Sequence, residues 1–197
     1  RQRRSVAGQR GAQVDAGVFG EFYFGRSVWH RRRGMPGFGG WFGTKALAGG
    51  GPLIDLGVHR LDLALWLMGY PKPTWVLGNT YDPIARELAA KAGKTFDVED
   101  LAAAMIRFDN GATLVVEASW AANIREAELM ETRLLGSKAG LLQHNLDEGY
   151  SFDAHLFMEK DGAQFDLHLH PPSTPAPSAM HDFAAAILAD RPHPAPG

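Results

Sequence analysis

The chain has 197 residues, 45% of them apolar, which is enough for one large domain or two small ones and for a packed core. It contains no cysteine, which excludes disulfides and thiolate metal sites, and no apolar run of the roughly 18 residues that a membrane-spanning helix needs. Net charge is −2, but residues 1–33 hold eight arginines against Asp15 and Glu21, so a basic first third (+6) precedes an acidic remainder (−8). That asymmetry points to an anion or to a solvated arginine face, while the slightly acidic whole and the lack of any nucleic-acid motif argue against nucleic acid.

In chain order, Gln2–Ala16 reads as the end of a helix stopped by Gly17. Glu21–Trp29 alternates as a strand does. Arg31–Gly51 holds eight glycines and reads as a long loop, a feature that in compact domains usually serves function. Pro52–Gly69 reads as one helix, with proline in its first turn and glycine at its end. Pro73–Tyr81 is a strand, and Asp82–Ala92 a short helix stopped by Gly93. Leu101–Phe108 and Ala112–Trp120 flank Asp109-Asn110-Gly111, a strong hairpin signal. Leu129–Leu135 is a further strand, and Ser151–Met158 with Ala163–His170 forms a second hairpin around Glu159-Lys160-Asp161-Gly162. Pro171–Pro177 is a connector. Ser178–Asp190 is a helix expected to turn Met180, Phe183, Ile187 and Leu188 inward, and His193–Gly197 resembles a linker. The start, without methionine or signal peptide, reads as a mature fragment or a truncated chain. Helices first and antiparallel strands after predict an α+β fold: one domain over residues 1–197, an open, mostly antiparallel sheet with helices packed on one face.

The densest chemistry lies in Gly49-Gly50-Gly51-Pro52 and the helix that follows, where Asp55, His59, Asp62 and Trp66 share a narrow arc at about 100° per residue. Asp55 and His59 stand one turn apart, the spacing at which a carboxylate orients an imidazole. Gly50 and Gly51 permit close approach of a ligand, and the helix start offers free N–H groups, suited to an anionic or hydroxyl-rich substrate. Three readings stay open on this pattern. One is proton transfer by the Asp55/His59 pair. A second is a metal held by His59 with Asp55 or Asp62, completed from His144, His155, His168 or His170. The third is a histidine satisfied by its own helix, the commonest fate of such a pattern. Gly37–Gly43 imitates a dinucleotide loop, but position 42 is Phe where the fingerprint needs Gly, and no phosphate-loop motif occurs.

The run GGGPLIDLGVHRLDLALWLMG resembles the glucose–fructose oxidoreductase / inositol dehydrogenase / rhizopine-catabolism (Gfo/Idh/MocA) family. AGVFGEFYFGRSVWHRRRGMPGFGGWF before it, and YPKPTWVLGNTY, FDVEDLAAAMIRFDNGATLVVEASW and LLGSKAGL after it, agree in order. The resemblance is to the C-terminal domain only. It implies a cytoplasmic NAD(P)-dependent oxidoreductase acting on a sugar, cyclitol or related polyol, with its N-terminal Rossmann domain absent from this chain. NAD or NADP would then bind only in the full-length protein, and neither a metal nor a nucleotide site is expected in this chain alone. By the same resemblance His59 takes the proton of the reacting hydroxyl and Asp55 orients it or binds a second hydroxyl. Arg33, Trp41 and Lys45, with Gly50 and Gly51, would face the substrate, and a homodimer or higher oligomer would form through the sheet face. The family's Glu-Lys-Pro motif is missing, since Glu159-Lys160 runs into Asp161. The alternative is a non-catalytic binding or assembly domain whose sheet, with Phe108, Val115 and Trp120 on strands, exposes an apolar face to a second copy.

Overall fold

A computed structural model describes residues 14, 16–37, 40–169 and 179–191. The helix expected over Gln2–Ala16 lies almost wholly outside these residues, as do the connector Pro171–Pro177 and the tail His193–Gly197. Eight strands build one open sheet: β1 (Phe22–Arg31), β2 (Pro73–Tyr81), β3 (Leu101–Phe108), β4 (Thr113–Ser119), β5 (Glu128–Gly136), β6 (Ala139–Leu146), β7 (Ser151–Lys160) and β8 (Ala163–His168). Their order is β2-β3-β4-β1-β5-β6-β7-β8. Only the β1–β4 pair is parallel, the other neighbours running antiparallel. The first strand of the sheet thus lies at its centre, flanked by β4 and β5, and the mostly antiparallel α+β architecture expected from the sequence is the one observed.

β6 has no counterpart among the sequence-based expectations. Ala139-Gly140-Leu141-Leu142-Gln143-His144-Asn145-Leu146 alternates weakly, because its inward residues include Gln143 and its outward ones Leu142. The two hairpins match expectation closely. The second closes on Asp161 and Gly162 with φ of 53° and 75°, the pair of positive values a two-residue type I′ turn requires.

One face of the sheet is covered. Helix α2 (Val58–Met68) lays Leu63, Ala64 and Leu67 on Leu114, Val116, Leu134, Leu141 and Leu156. Helix α3 (Pro83–Lys91) puts Ala85 and Ala89 into a second cluster around Leu56, Phe96, Ala118, Trp120 and Met130. The alternation of each strand decides which residues reach this core. A network of polar groups is sealed beneath α2. Arg60, wholly buried, donates from Nη2 to Thr132 Oγ1 (2.5 Å) and Gln143 Oε1 (3.0 Å), and its carbonyl accepts from Ser27 Oγ (3.0 Å). Burial pulls the guanidinium pKa below its usual value, opposed by the charge of Glu131.

The structure corrects several expectations. Phe108 and Trp120 are buried in the core, 2% and 0% exposed, so neither belongs to an exposed sheet face; of the three residues named, only Val115 lies on the open side. Helix α4 (Ala179–Leu188) turns Met180, Phe183, Ile187 and Leu188 outward, while Ala186 is its buried residue. The apolar stripe lies where periodicity puts it but faces outward, because periodicity defines a face without saying what covers it. The loop Arg31–Gly51 contains a 3₁₀ turn (Trp41–Gly43) and a short helix α1 (Lys45–Ala48). Two of the four described arginines of the basic first third are spent in ion pairs, Arg26 with Glu117 at 2.7 Å and Arg31 with Glu128 at 2.8 Å, while Arg32 and Arg33 are exposed and donate to neutral groups. Among the described residues no helix is long and apolar enough to cross a membrane.

Candidate active site

The glycine run ends in a tight entry to the helix. Gly49 has φ of +80°, a conformation that glycine adopts without strain. Gly51 is buried against residue 99: a Cβ placed there would lie 2.2 Å from the Glu99 carbonyl oxygen. The Glu99 side chain then reaches forward, and its Oε1 accepts from the Leu53 N–H at 3.3 Å. The helix start therefore already faces a carboxylate, as the macrodipole favours. Gly51→Ala is expected to cost about 1–3 kcal/mol of stability through overpacking. Gly37→Ala, where a Cβ meets nothing within 4 Å, is expected to stay within about 0.5 kcal/mol. Urea denaturation of both variants measures the difference.

The helix is not uniform. Leu53–Gly57 winds as a π-type turn, with Val58 N–H reaching Leu53 C=O, before α2 begins. Single π turns of this kind occur often at functional sites. The wider winding breaks the even 100° step assumed from the sequence. No ion pair or hydrogen bond joins Asp55 to His59 among the described residues. Instead Asp55 Oδ2 accepts from the buried Trp120 indole Nε1 at 2.9 Å. Trp120 is itself wedged edge-on between Phe42 (6.2 Å) and Phe96 (6.3 Å). Asp55 is half-buried and fixed from within; His59 is exposed, its ring 5.9 Å from that of Trp29.

Trp29 opens a second polar cluster beside the imidazole. Its Nε1 donates to Glu128 Oε1 (2.6 Å), which also accepts from Arg31 Nε (2.8 Å) and Tyr150 O–H (3.2 Å). The Arg31 guanidinium lies 5.5 Å from the Trp29 ring centre, and Tyr150 meets that ring edge-on at 6.2 Å. The result is a rigid aromatic and hydrogen-bonding wall next to His59.

The loop residues named from the sequence are placed as follows. Trp41 is 56% exposed and stacks on Phe42 at 3.9 Å, which ties it to Trp120 through the Phe42 ring. The Lys45 side chain is exposed, and its backbone N–H donates to Asp97 Oδ1 at 2.6 Å. Arg33 is exposed, but its guanidinium is engaged by Asn123 Oδ1 at 2.8 Å and by the Arg32 and Ala122 carbonyls. Gly50 lies under Ile54, whose Cδ1 would be 2.8 Å from a Cβ. Ile54 and Val58, on the same helical stretch as Asp55 and His59, are exposed together with Leu47. Asp62 is half-buried, and Trp66 packs against the core. Sequence reasoning missed Trp29, Glu99, Trp120 and Glu128, none of which stands in a spacing motif with the helix.

Similarity to known proteins covers most of the chain. The family model described as GFO/IDH/MocA C-terminal domain matches residues 11–142. D-glucoside 3-dehydrogenase of Escherichia coli (strain K12) is 37% identical over 160 residues, which are 79% of this chain and 43% of the relative. The chain thus spans less than half the length of that relative. Among solved structures, levoglucosan dehydrogenase in complex with NADH and levoglucosan has a TM-score of 0.75 at 20% identity, covering 96% of this chain and 55% of that one. An oxidoreductase domain protein from Kribbella flavida has a TM-score of 0.78 at 21% identity, covering 98% and 58%. Both structural likenesses bear on the fold.

Proposed function

Because the chain belongs to the GFO/IDH/MocA C-terminal domain family, we propose that it is the substrate-binding and catalytic domain of an NAD(P)-dependent oxidoreductase acting on a neutral sugar, cyclitol or related polyol. The observation that carries this reading is the exposed imidazole of His59, set beside the Trp29–Arg31–Glu128–Tyr150 wall on a helix introduced by the glycine turn. An exposed imidazole nitrogen can accept a proton from a hydroxyl that approaches within hydrogen-bond reach. Asp55, anchored by Trp120, offers its carboxylate oxygens to that hydroxyl or its neighbour. The wall supplies aromatic faces and fixed polar groups of the kind that hold a sugar ring. Neutral substrates are favoured over acids because Glu99 already occupies the helix start and would repel a second carboxylate.

The described residues contain no strand–glycine-loop–helix cradle, so they do not fit a dinucleotide. NAD or NADP, as hydride acceptor of the whole protein, is assigned to a domain outside this chain. The exposed apolar residues Trp41, Leu47, Ile54 and Val58 beside the site give such a domain a surface to cover. The test is a nucleotide titration of this chain and an oxidation assay of the full-length protein with neutral sugars and polyols. The 197-residue chain is expected to leave NADH and NADPH fluorescence unchanged, and the full-length protein to reduce NAD(P) with a neutral sugar. Tight binding of either nucleotide by this chain, or no turnover with any neutral polyol, would overturn the reading.

Assembly is the second element of the proposal. The uncovered face of the sheet carries Leu77, Met105 and Phe24 on β2, β3 and β1, each at least 36% exposed. Register places them on the side opposite the buried rows. Exposed apolar side chains on an open sheet face, here flanked by the Arg26–Glu117 ion pair, are a surface through which sheets pair between copies. Sedimentation equilibrium is expected to show a dimer or larger species that Met105→Glu weakens; a strictly monomeric chain at high concentration would refute assembly.

A further inference from the structure

We propose that Asp153, His155 and His168 form a binding site for one divalent transition-metal ion of the zinc type, on the uncovered face of the sheet. Nothing in the proposed oxidoreductase chemistry uses these residues, and the helix carrying His59 packs on the opposite face.

The strand register assembles the site. Asp153 and His155 are two apart on β7 and so point to the same face. His155 stands directly across from His168 on β8, and Asp153 directly across from His144 on β6. Cross-strand partners on one face have Cβ atoms about 4.5–5.5 Å apart, which is close enough for two imidazoles and a carboxylate to converge. In the structure they do converge. Asp153 Oδ2 lies 3.2 Å from His155 Nε2, and Asp153 Oδ1 contacts His168 Nε2. One potential ligand atom from each of the three residues lies within 4.8 Å of the other two. The His155 and His168 rings are nearly parallel, 14° apart with centres at 5.1 Å.

The donor set selects the ion. Two imidazole nitrogens and one carboxylate oxygen suit zinc, which binds such atoms at about 2.0–2.2 Å in a tetrahedron. The edge of such a tetrahedron is about 3.3 Å, the scale of the separation between Asp153 and His155. Magnesium and calcium prefer sets made of oxygen alone. Solvent reaches the site, since His168 is 44% and His155 29% exposed at the side chain, so an ion can enter and a water can fill the fourth position. His144 extends the row. Its ring stacks 5.7 Å from that of His155, and its Nδ1 is buried without a hydrogen-bond partner among the described residues. Its imidazole is thus near enough to serve as a further donor after a rotation.

The alternative is a pair of histidines hydrogen-bonded to a shared carboxylate with no affinity for metal. Calorimetric titration of the chelator-treated 197-residue chain with zinc chloride separates the two. The expected result is one saturable ion per chain, with Tm rising as zinc is added. His155→Ala and His168→Ala are each expected to weaken binding by more than the about 10–100-fold that loss of a mere supporting partner costs. His181→Ala, on α4, is expected to leave binding unchanged. Circular dichroism confirms that each variant is folded, and cobalt substitution adds an independent readout, a visible absorption band that the two ligand variants lose. Absence of saturable binding, or the same affinity in the His155→Ala/His168→Ala double variant as in the parent, would overturn the site.

Discussion

Replacing His59 by alanine in the full-length protein is expected to lower kcat by about 10²–10⁴-fold, the usual contribution of a positioned general base. The size of the effect follows from what the residue does not do for the fold. The ring is exposed and rests against the edge of the Trp29 cluster, so its removal opens no cavity in the core. Tm is therefore expected to move by no more than a degree or two while turnover collapses. Stability and activity separate cleanly at this position, which makes the variant diagnostic. An unchanged kcat would remove His59 from the proton path and leave the assembly reading of the domain standing.

The strands were legible in the sequence because their outward and inward faces differ in character. β2 and β3 fall at the positions expected, and the hairpin turns are written in Asn110-Gly111 and Asp161-Gly162. β6 was not legible: its inward Gln143 serves the buried Arg60, and a polar residue in an inward position erases the alternation. Pairing order was beyond reach as well. That β1 lies between β4 and β5, parallel to one and antiparallel to the other, depends on pairings 89 to 114 residues apart, which no local pattern records.

The candidate site divides the same way. Gly49–Gly51, Asp55 and His59 are local, and their spacing exposed them. Trp29, Glu99 and Glu128 reach the site from three other segments of the chain and carry no motif that links them to it. The π turn was hidden for another reason. Leu53-Ile54-Asp55-Leu56-Gly57 reads as ordinary helix, and the wider winding becomes visible only as the Val58–Leu53 hydrogen bond. It also explains why the inferred Asp55–His59 contact is absent: the even angular step that put both side chains in one arc does not hold through residues 53–57.

Trp120 carries the second large expected effect, this time on stability. Its side chain is fully buried among Phe42, Phe96 and the α3 alanines, so Trp120→Ala should cost about 3–5 kcal/mol and bring the domain near its unfolding threshold. Trp120→Phe isolates the hydrogen bond. Most of the volume and the edge-on ring contacts survive, but the indole N–H that Asp55 accepts is gone. Losing a donor to a carboxylate and part of the ring together should cost about 1–3 kcal/mol, clearly less than the alanine variant. Urea titrations of the two variants, with equal m-values, measure the gap. The phenylalanine variant reads function too. A half-buried Asp55 released from its anchor no longer presents its carboxylate at a fixed angle to the helix face where His59 stands. The full-length Trp120→Phe protein is therefore expected to lose kcat by about tenfold or more while still folded. Asp55→Asn keeps an oxygen for the indole and should retain stability better than activity. If Trp120→Phe were as unstable as Trp120→Ala, packing alone would account for the tryptophan. If it were stable and fully active, the anchoring of Asp55 would have no part in the site.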